Sequence, residues 1–190
     1  MPGPYEGVHG FVFLYQDDPA DPSDVIDSLL ELRDPYQGPV FFAALFEGDF
    51  AGFVHFAAGD LEGLVDFTGS RLFDAGVRSD YAVEGAVHRD ATGPRGPKRK
   101  SPRFCGICRV HTSDTPRSVL RAIASAFDGG RPLVGASRVI GGFQLLVELG
   151  ADDPDELDRA IESLRSVPGV ETVEVGTTDT GQRVDPGEGG

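Results

Sequence analysis

Tryptophan is absent, methionine occurs once and cysteine twice in 190 residues. Two thiols cannot staple a chain of this length, so a disulfide scaffold is excluded. Lysine stands only at Lys98 and Lys100, and arginine supplies the other basic residues. That bias fits a GC-rich genome. No apolar run exceeds Val40–Phe46, far short of the ~20 residues that cross a bilayer, and no membrane partner is expected. The start, Met1-Pro-Gly-Pro-Tyr-Glu, lacks a basic region followed by an apolar stretch. It reads as no secretory signal, and the expected compartment is the cytoplasm. Basic charge is scarce too: 17 Lys and Arg stand against 31 Asp and Glu, a net charge of −14. Such a chain repels phosphate, which disfavours general binding of a nucleic-acid duplex. P-loop, GxGxxG, GxSxG and HExxH patterns are missing, so no cofactor and no metal are expected.

What is present suffices for a core: 39% of residues are hydrophobic, with 13 Phe. The length allows one domain or two small ones. Charge is placed unevenly. Residues 1–90 hold four basic against 17 acidic residues, and residues 104–190 hold eight against 14. Between them, 91–103 carry Arg95, Lys98, Arg99, Lys100 and Arg103 with no acid, among Gly and Pro. That segment reads as a solvated linker, and nucleic acid is not expected as a partner unless through 95–103. The expected domains are 1–90, the linker 91–103, 104–176, and a disordered tail over 177–190.

The two domains resemble each other. Sliding the chain by 93 positions matches Phe11 with Phe104, Asp21 with Asp114, Ala43 with Ala136 and Gly48 with Gly141. Phe50 then meets Phe143, Val54 meets Val147, Asp60 meets Asp153, and Gly76-Val77 meets Gly169-Val170. The matches fall on turn and cap residues in one register, as a duplication would leave them. Each copy reads β-α-β-β-α-β. In the first, Phe11–Tyr15 is a strand, followed by a helix with Val25, Ile26, Leu29 and Leu30 on one stripe. Val40–Phe46 and Phe53–Phe56 flank a Glu47-Gly48-Asp49 turn. Asp60 caps a helix with Leu61, Leu64, Val65, Thr68 and Leu72 on one face, and Val77–Val87 holds the last strand. In the second, Phe104–Val110, Leu133–Val139, Phe143–Leu149 and Val170–Val175 are strands. Val119, Leu120, Ile123 and Phe127, then Leu157, Ala160, Ile161 and Leu164, mark the helices. The fold class is α+β: two tandem ferredoxin-like units. Each leaves one sheet face bare and partly apolar, and pairing the two sheets as a dimeric-type α+β barrel covers both.

Two stretches carry a family resemblance. Arg138-Val-Ile-Gly-Gly-Phe-Gln-Leu-Leu-Val-Glu-Leu resembles a "v-t-G-x-y-D-l-l-l-x-v" hairpin. Leu164-Arg-Ser-Val-Pro-Gly-Val-Glu-Thr-Val-Glu-Val resembles the closing "l-x-x-l-p-G-V-x-x-t-x-x-v" of the same domain. Both patterns belong to the effector-binding, oligomerisation domain of the Lrp/AsnC regulators. The first copy is similar in Phe46-Glu-Gly-Asp-Phe-Ala-Gly-Phe-Val-His-Phe. About ten residues precede the first strand, so the family's helix-turn-helix is missing. The family's hairpin aspartate falls at Ala51 and Gln144. The resemblance implies a stand-alone module that binds a small, amino-acid-like effector, assembles as a homo-oligomer or with a partner protein, and does no chemistry. Its ligand would lie near the hairpin loops, at Gly48, Asp49, Gly141, Gly142 and Gln144.

The residues allow other readings. His55 sits mid-strand, and the 93-residue spacing pairs it with Glu148, so the two could line one cavity as an imidazole–carboxylate acid/base pair. The same spacing equates Tyr15 with Cys108. A cofactor-free α+β-barrel enzyme, monooxygenase- or cyclase-like, would use His55, Glu148 and Tyr15. A protein-assembly module would use none of them. Cys105-Gly-Ile-Cys108 is a CxxC, yet it falls inside a strand, where residues i and i+3 face opposite ways, so two packing thiols are expected.

Overall fold

The structure is a computed structural model that describes residues 8–30, 40–69, 80–86, 102–127 and 132–180. Most of the basic linker, His88, Leu72 and residues 181–190 of the expected tail lie outside the described residues, as do 77–79 and 87 of the expected fifth strand. The chain divides into two compact units, residues 1–87 with 138–144, and residues 88–137 with 145–190.

In the first unit the elements are β1 (Val8–Leu14), α1 (Pro22–Leu30), β2 (Val40–Leu45), the two-residue β3 (Glu47–Gly48), β4 (Gly52–Ala58), α2 (Leu61–Phe67) and β5 (Asp80–Ala86). The sheet order is β2-β4-β1-β5, and each neighbouring pair is antiparallel. β1 is central, and Phe11, Val12, Phe13 and Leu14 are all buried, so it reads as an unbroken apolar run rather than an alternation. Even-numbered positions turn to the helices: Val12, Leu14, Val54 and Phe56 pack with Val25, Ile26, Leu29 and Leu64. The β2–β4 hairpin is closed by the Phe46 amide donating to the Ala51 carbonyl at 2.8 Å. Gly48 has φ 128, a conformation that a side chain resists.

Both helix starts follow their caps. The Asp21 carboxylate accepts from the Ser23 amide at 2.8 Å and its hydroxyl at 2.7 Å, and these bonds hold its carboxyl below the usual range. The Asp60 carboxylate accepts from the Gly63 amide at 2.8 Å. The expected stripe of α2 needs correcting. Leu64 is buried, but Leu61 and Val65 are 55% and 59% exposed. The ring of Phe67 packs on Phe56 with centroids 4.9 Å apart. This contact rolls the helix so that 64 and 67 face inward and 61 and 65 face out. Leu30, at the end of α1, is likewise exposed.

The second unit holds β6 (Phe104–Thr112), α3 (Pro116–Ala126), β7 (Leu133–Ile140), β8 (Leu145–Ala151), α4 (Pro154–Arg165) and β9 (Val170–Asp179); the division of the chain falls within β7. The order is β7-β8-β6-β9. Pro116 and Pro154 open their helices, where the missing N–H costs nothing. Asp153 caps α4 by accepting from the Asp155 and Glu156 amides. Ile123, Leu145, Leu149 and Leu164 are fully buried between sheet and helices. The closing strand runs to Asp179, past the expected boundary at 176. The antiparallel register of β6 explains this, because Phe104 and Cys105 pair with Asp179 and Thr178. Arg103, the last linker residue, meets Asp179 at 3.1 Å and lies over the Phe104 ring. No described helix is long and apolar enough to cross a membrane.

Candidate functional site

The sheet face of the first unit that turns away from its helices is almost wholly aromatic. The β1–β4 register sets Phe11 opposite His55, Phe13 opposite Phe53, and His9 opposite Ala57. Period-two alternation therefore puts His9, Phe11, Phe13, Phe53 and His55 on one face. Phe42 joins from β2, opposite His55. The rings contact each other in tilted and edge-on pairs: Phe13 with Phe53 at 5.2 Å and with Phe50 at 5.0 Å, and Phe53 with Phe42 at 6.0 Å and Phe46 at 6.1 Å. Phe143, in the segment that belongs to this unit, lies edge-on to Phe13 at 5.5 Å. Such offset contacts each add about 0.5–1.5 kcal/mol beyond their buried area.

At the end of this face stand two imidazoles. His9 Nδ1 and His55 Nε2 are 2.9 Å apart. The histidines are diagonal rather than direct partners across β1 and β4, a spacing that long and aromatic side chains bridge. His9 is 4% exposed, and His55 is half-buried. The Phe11 ring lies 4.8 Å from the His55 ring. A 2.9 Å contact between ring nitrogens needs one N–H between them, so one imidazole donates and the other accepts. A proton on both nitrogens would turn the bond into repulsion. The pair therefore carries at most one positive charge while the bond lasts.

His9 drew no attention in the sequence, because its partner lies 46 residues away on another strand. Tyr15 lies in a turn, its amide donating to the Asp18 carboxylate at 2.8 Å.

The other expected site residues fall on several elements. Gly48 ends β3, and Asp49, Gly141 and Gly142 are loop positions; all four are exposed. The Gln144 carbonyl accepts from the Val139 amide at 3.0 Å and closes its hairpin. Glu148 is half-buried on β8, opposite Ile107. Cys108 is buried in the core, and burial pushes its thiol up to about 12. Cys105 is half-buried, and neither cysteine is in a disulfide. Sequence reasoning also missed Arg109, which is buried and paired with Glu174 at 2.5 Å.

A metal or haem needs donors. No group of three or more His, Cys, Asp or Glu that could hold a metal occurs among the described residues. Haem iron needs an axial imidazole, thiolate, thioether or phenolate. The four helices carry none of these. Imidazoles and thiols among the described residues lie on β1, β4 and β6. His9 and His55 bond each other, the Cys108 thiol stays protonated, and His111 sits at a strand end opposite Thr172.

No family model and no curated protein matches the chain. Solved structures do match. Chlorite dismutase from Candidatus Nitrospira defluvii in complex with imidazole aligns with a TM-score of 0.53 at 12% identity, over 91% of this chain and 91% of that one. Two substituted forms of the same protein align with TM-scores of 0.53 and 0.52, each at 12% identity, over 93% and 94% of this chain and 92% of theirs. The fold is α+β with antiparallel strand pairing, as in those structures. The expected reading as an Lrp/AsnC-type effector-binding regulatory module is overturned, because the likeness runs over nine-tenths of the chain to chlorite dismutases. The motifs behind that reading are turn signals that any such unit needs. Gly141-Gly142 lies in the loop between β7 and β8, and Gly169, with φ 85, turns the chain into β9.

Proposed function

We propose that the chain is an enzyme of the dimeric α+β-barrel superfamily that works without a cofactor, by acid/base chemistry at His55. The observation that carries this is the His9–His55 contact of 2.9 Å at the end of a phenylalanine-lined face. A neutral imidazole can take a proton from a bound acid. Half-buried, His55 is the member of the pair that a small molecule reaches. A flat, weakly acidic substrate would lie against the half-buried Phe42 ring and give its proton to the imidazole. The rings would exclude water while charge develops, and a positioned base of this kind contributes about 10²–10⁴-fold. Monooxygenase- or cyclase-like proton abstraction is the reaction class this supports.

We also read the two units as tandem copies of one fold. Support comes from the shared order, in which the first and third long strands are central and the second and fourth flank them. The 93-residue spacing of Gly52 to Leu145 and of Ala58 to Ala151, the ends of β4 and β8, points the same way.

The test is a panel of small phenolic and 1,3-dicarbonyl compounds, incubated aerobically with the wild-type chain and with His55→Ala, and read by mass spectrometry. The proposal expects a product from the wild type that His55→Ala does not form. Equal conversion by both would remove His55 from the chemistry.

A further inference from the structure

We infer that Phe42 sets the substrate class of this site: its ring is the platform for a planar aromatic ring, so hydroxyarenes are taken in preference to aliphatic compounds of the same size. This rests on the reading of His55 as the base. The backbone carries the first argument. Val40 pairs with Phe56 and Phe42 pairs with His55, so two steps along β2 match one step along β4. Val40 and Phe56 belong to the core on the helix side of the sheet. Regular alternation would send Phe42 to the side of Val40. The register shift between them sends it to the side of His55 instead, as a β-bulge does when it re-aims a side chain beside a functional site.

Exposure carries the second argument. The other described phenylalanines of this face are at most 5% exposed, whereas Phe42 is half-buried. Its ring is braced by Phe53, at 6.0 Å and tilted by 50°, and by Phe46, edge-on at 6.3 Å. A ring held in this way offers surface to a ligand with little further loss of side-chain freedom. Direct partners across an antiparallel pair have Cβ atoms about 4.5–5.5 Å apart, so a substrate ring lying on Phe42 carries its hydroxyl alongside the His55 imidazole. Stacked and edge-on aromatic pairs gain beyond the area they bury, because ring faces and edges carry opposite partial charge. A saturated ring of the same outline gains from buried area alone. The difference is worth about 2–12-fold in affinity.

NMR chemical-shift titration of the intact chain with 2-naphthol and with decahydro-2-naphthol tests this. The two share one outline and one hydroxyl. The wild type should bind 2-naphthol about 2–12-fold more tightly. Phe42→Leu should bring that ratio close to one while the affinity for decahydro-2-naphthol holds within about twofold. Phe42→Trp, with a larger aromatic face, should keep or raise the ratio, and this variant decides the matter if Phe42→Leu does not fold. Equal affinity for the two compounds in the wild type would overturn the inference, as would no binding of either, an unchanged ratio in Phe42→Leu, or a ratio lost in Phe42→Trp. A chain that shows the aromatic preference but takes no proton from any bound compound would sink the enzyme reading alone. A chain whose turnover needs His55 but which shows no aromatic preference would sink this inference alone.

Discussion

Gly10→Ala should destabilise the first unit by about 1–2 kcal/mol, and the number can be worked from contacts. Gly10 lies between His9 and Phe11 on β1, on the helix side of the sheet. A Cβ there would stand 2.5, 2.8 and 3.0 Å from three atoms of the Phe56 ring. Carbon atoms pack at about 3.5–4.0 Å, so the ring would have to retreat by roughly 1 Å. It has little room, because the Phe67 ring lies 4.9 Å behind it and Phe56 itself is 1% exposed. Overpacking of this kind costs about 1–3 kcal/mol, and the smaller unfolded-state entropy of alanine returns about 0.4–1 kcal/mol. Urea unfolding followed by circular dichroism should show a midpoint lower by roughly 0.5–1 M for a unit of this size. Gly59→Ala is the matched control: nothing lies within 4 Å of a Cβ there, so its midpoint should hold or rise. A Gly10→Ala midpoint equal to that of Gly59→Ala would refute the packing argument.

Two further outcomes are expected. Burial pushes the Cys108 thiol from 9.0 up to about 12, with the Arg165 charge pulling weakly the other way. The folded state therefore keeps a proton that the unfolded chain gives up near pH 9. Stability from this group is complete below pH 9 and falls by about 1.4 kcal/mol per pH unit above it; a slope of the same size in Cys108→Ala would contradict the assignment. Because the bond to His9 holds His55 Nε2, added hemin should give the same spectrum with the wild type as with His55→Ala; an imidazole-ligated Soret band that His55→Ala removes would contradict that bond.

Much of the fold was legible in the sequence because it follows from local chemistry. Asp60 and Asp153 read as caps and are caps. Val25, Ile26 and Leu29 fall on one stripe and are buried. Cys105 and Cys108 were expected to point to opposite faces of a strand, and only Cys108 is fully buried. What failed depended on tertiary contacts. The stripe of α2 was right in period and wrong in phase, since the pairing of Phe67 with Phe56 sets the phase and no pattern within one helix reveals it. The site was half legible. His55 stood out as a polar residue inside an apolar strand, but its partner His9 did not, because the two are 46 residues apart on different strands. The functional resemblance misled for a related reason: Gly141-Gly142 and Pro168-Gly169 are demanded by backbone geometry, and backbone geometry is shared by proteins with different chemistry.

The central claim is that His55 takes protons from weakly acidic small molecules. It is tested most directly by deuterium wash-in: 1,3-dicarbonyl and phenolic probes are incubated in heavy water with wild-type chain, His55→Ala and no protein, and isotope exchange is followed by mass spectrometry. The account predicts exchange catalysed by the wild type on at least one probe, and a loss of about 100-fold or more in His55→Ala, the least a positioned base contributes. Exchange in His55→Ala at the wild-type rate, or in the wild type at the protein-free rate on every probe, would contradict it.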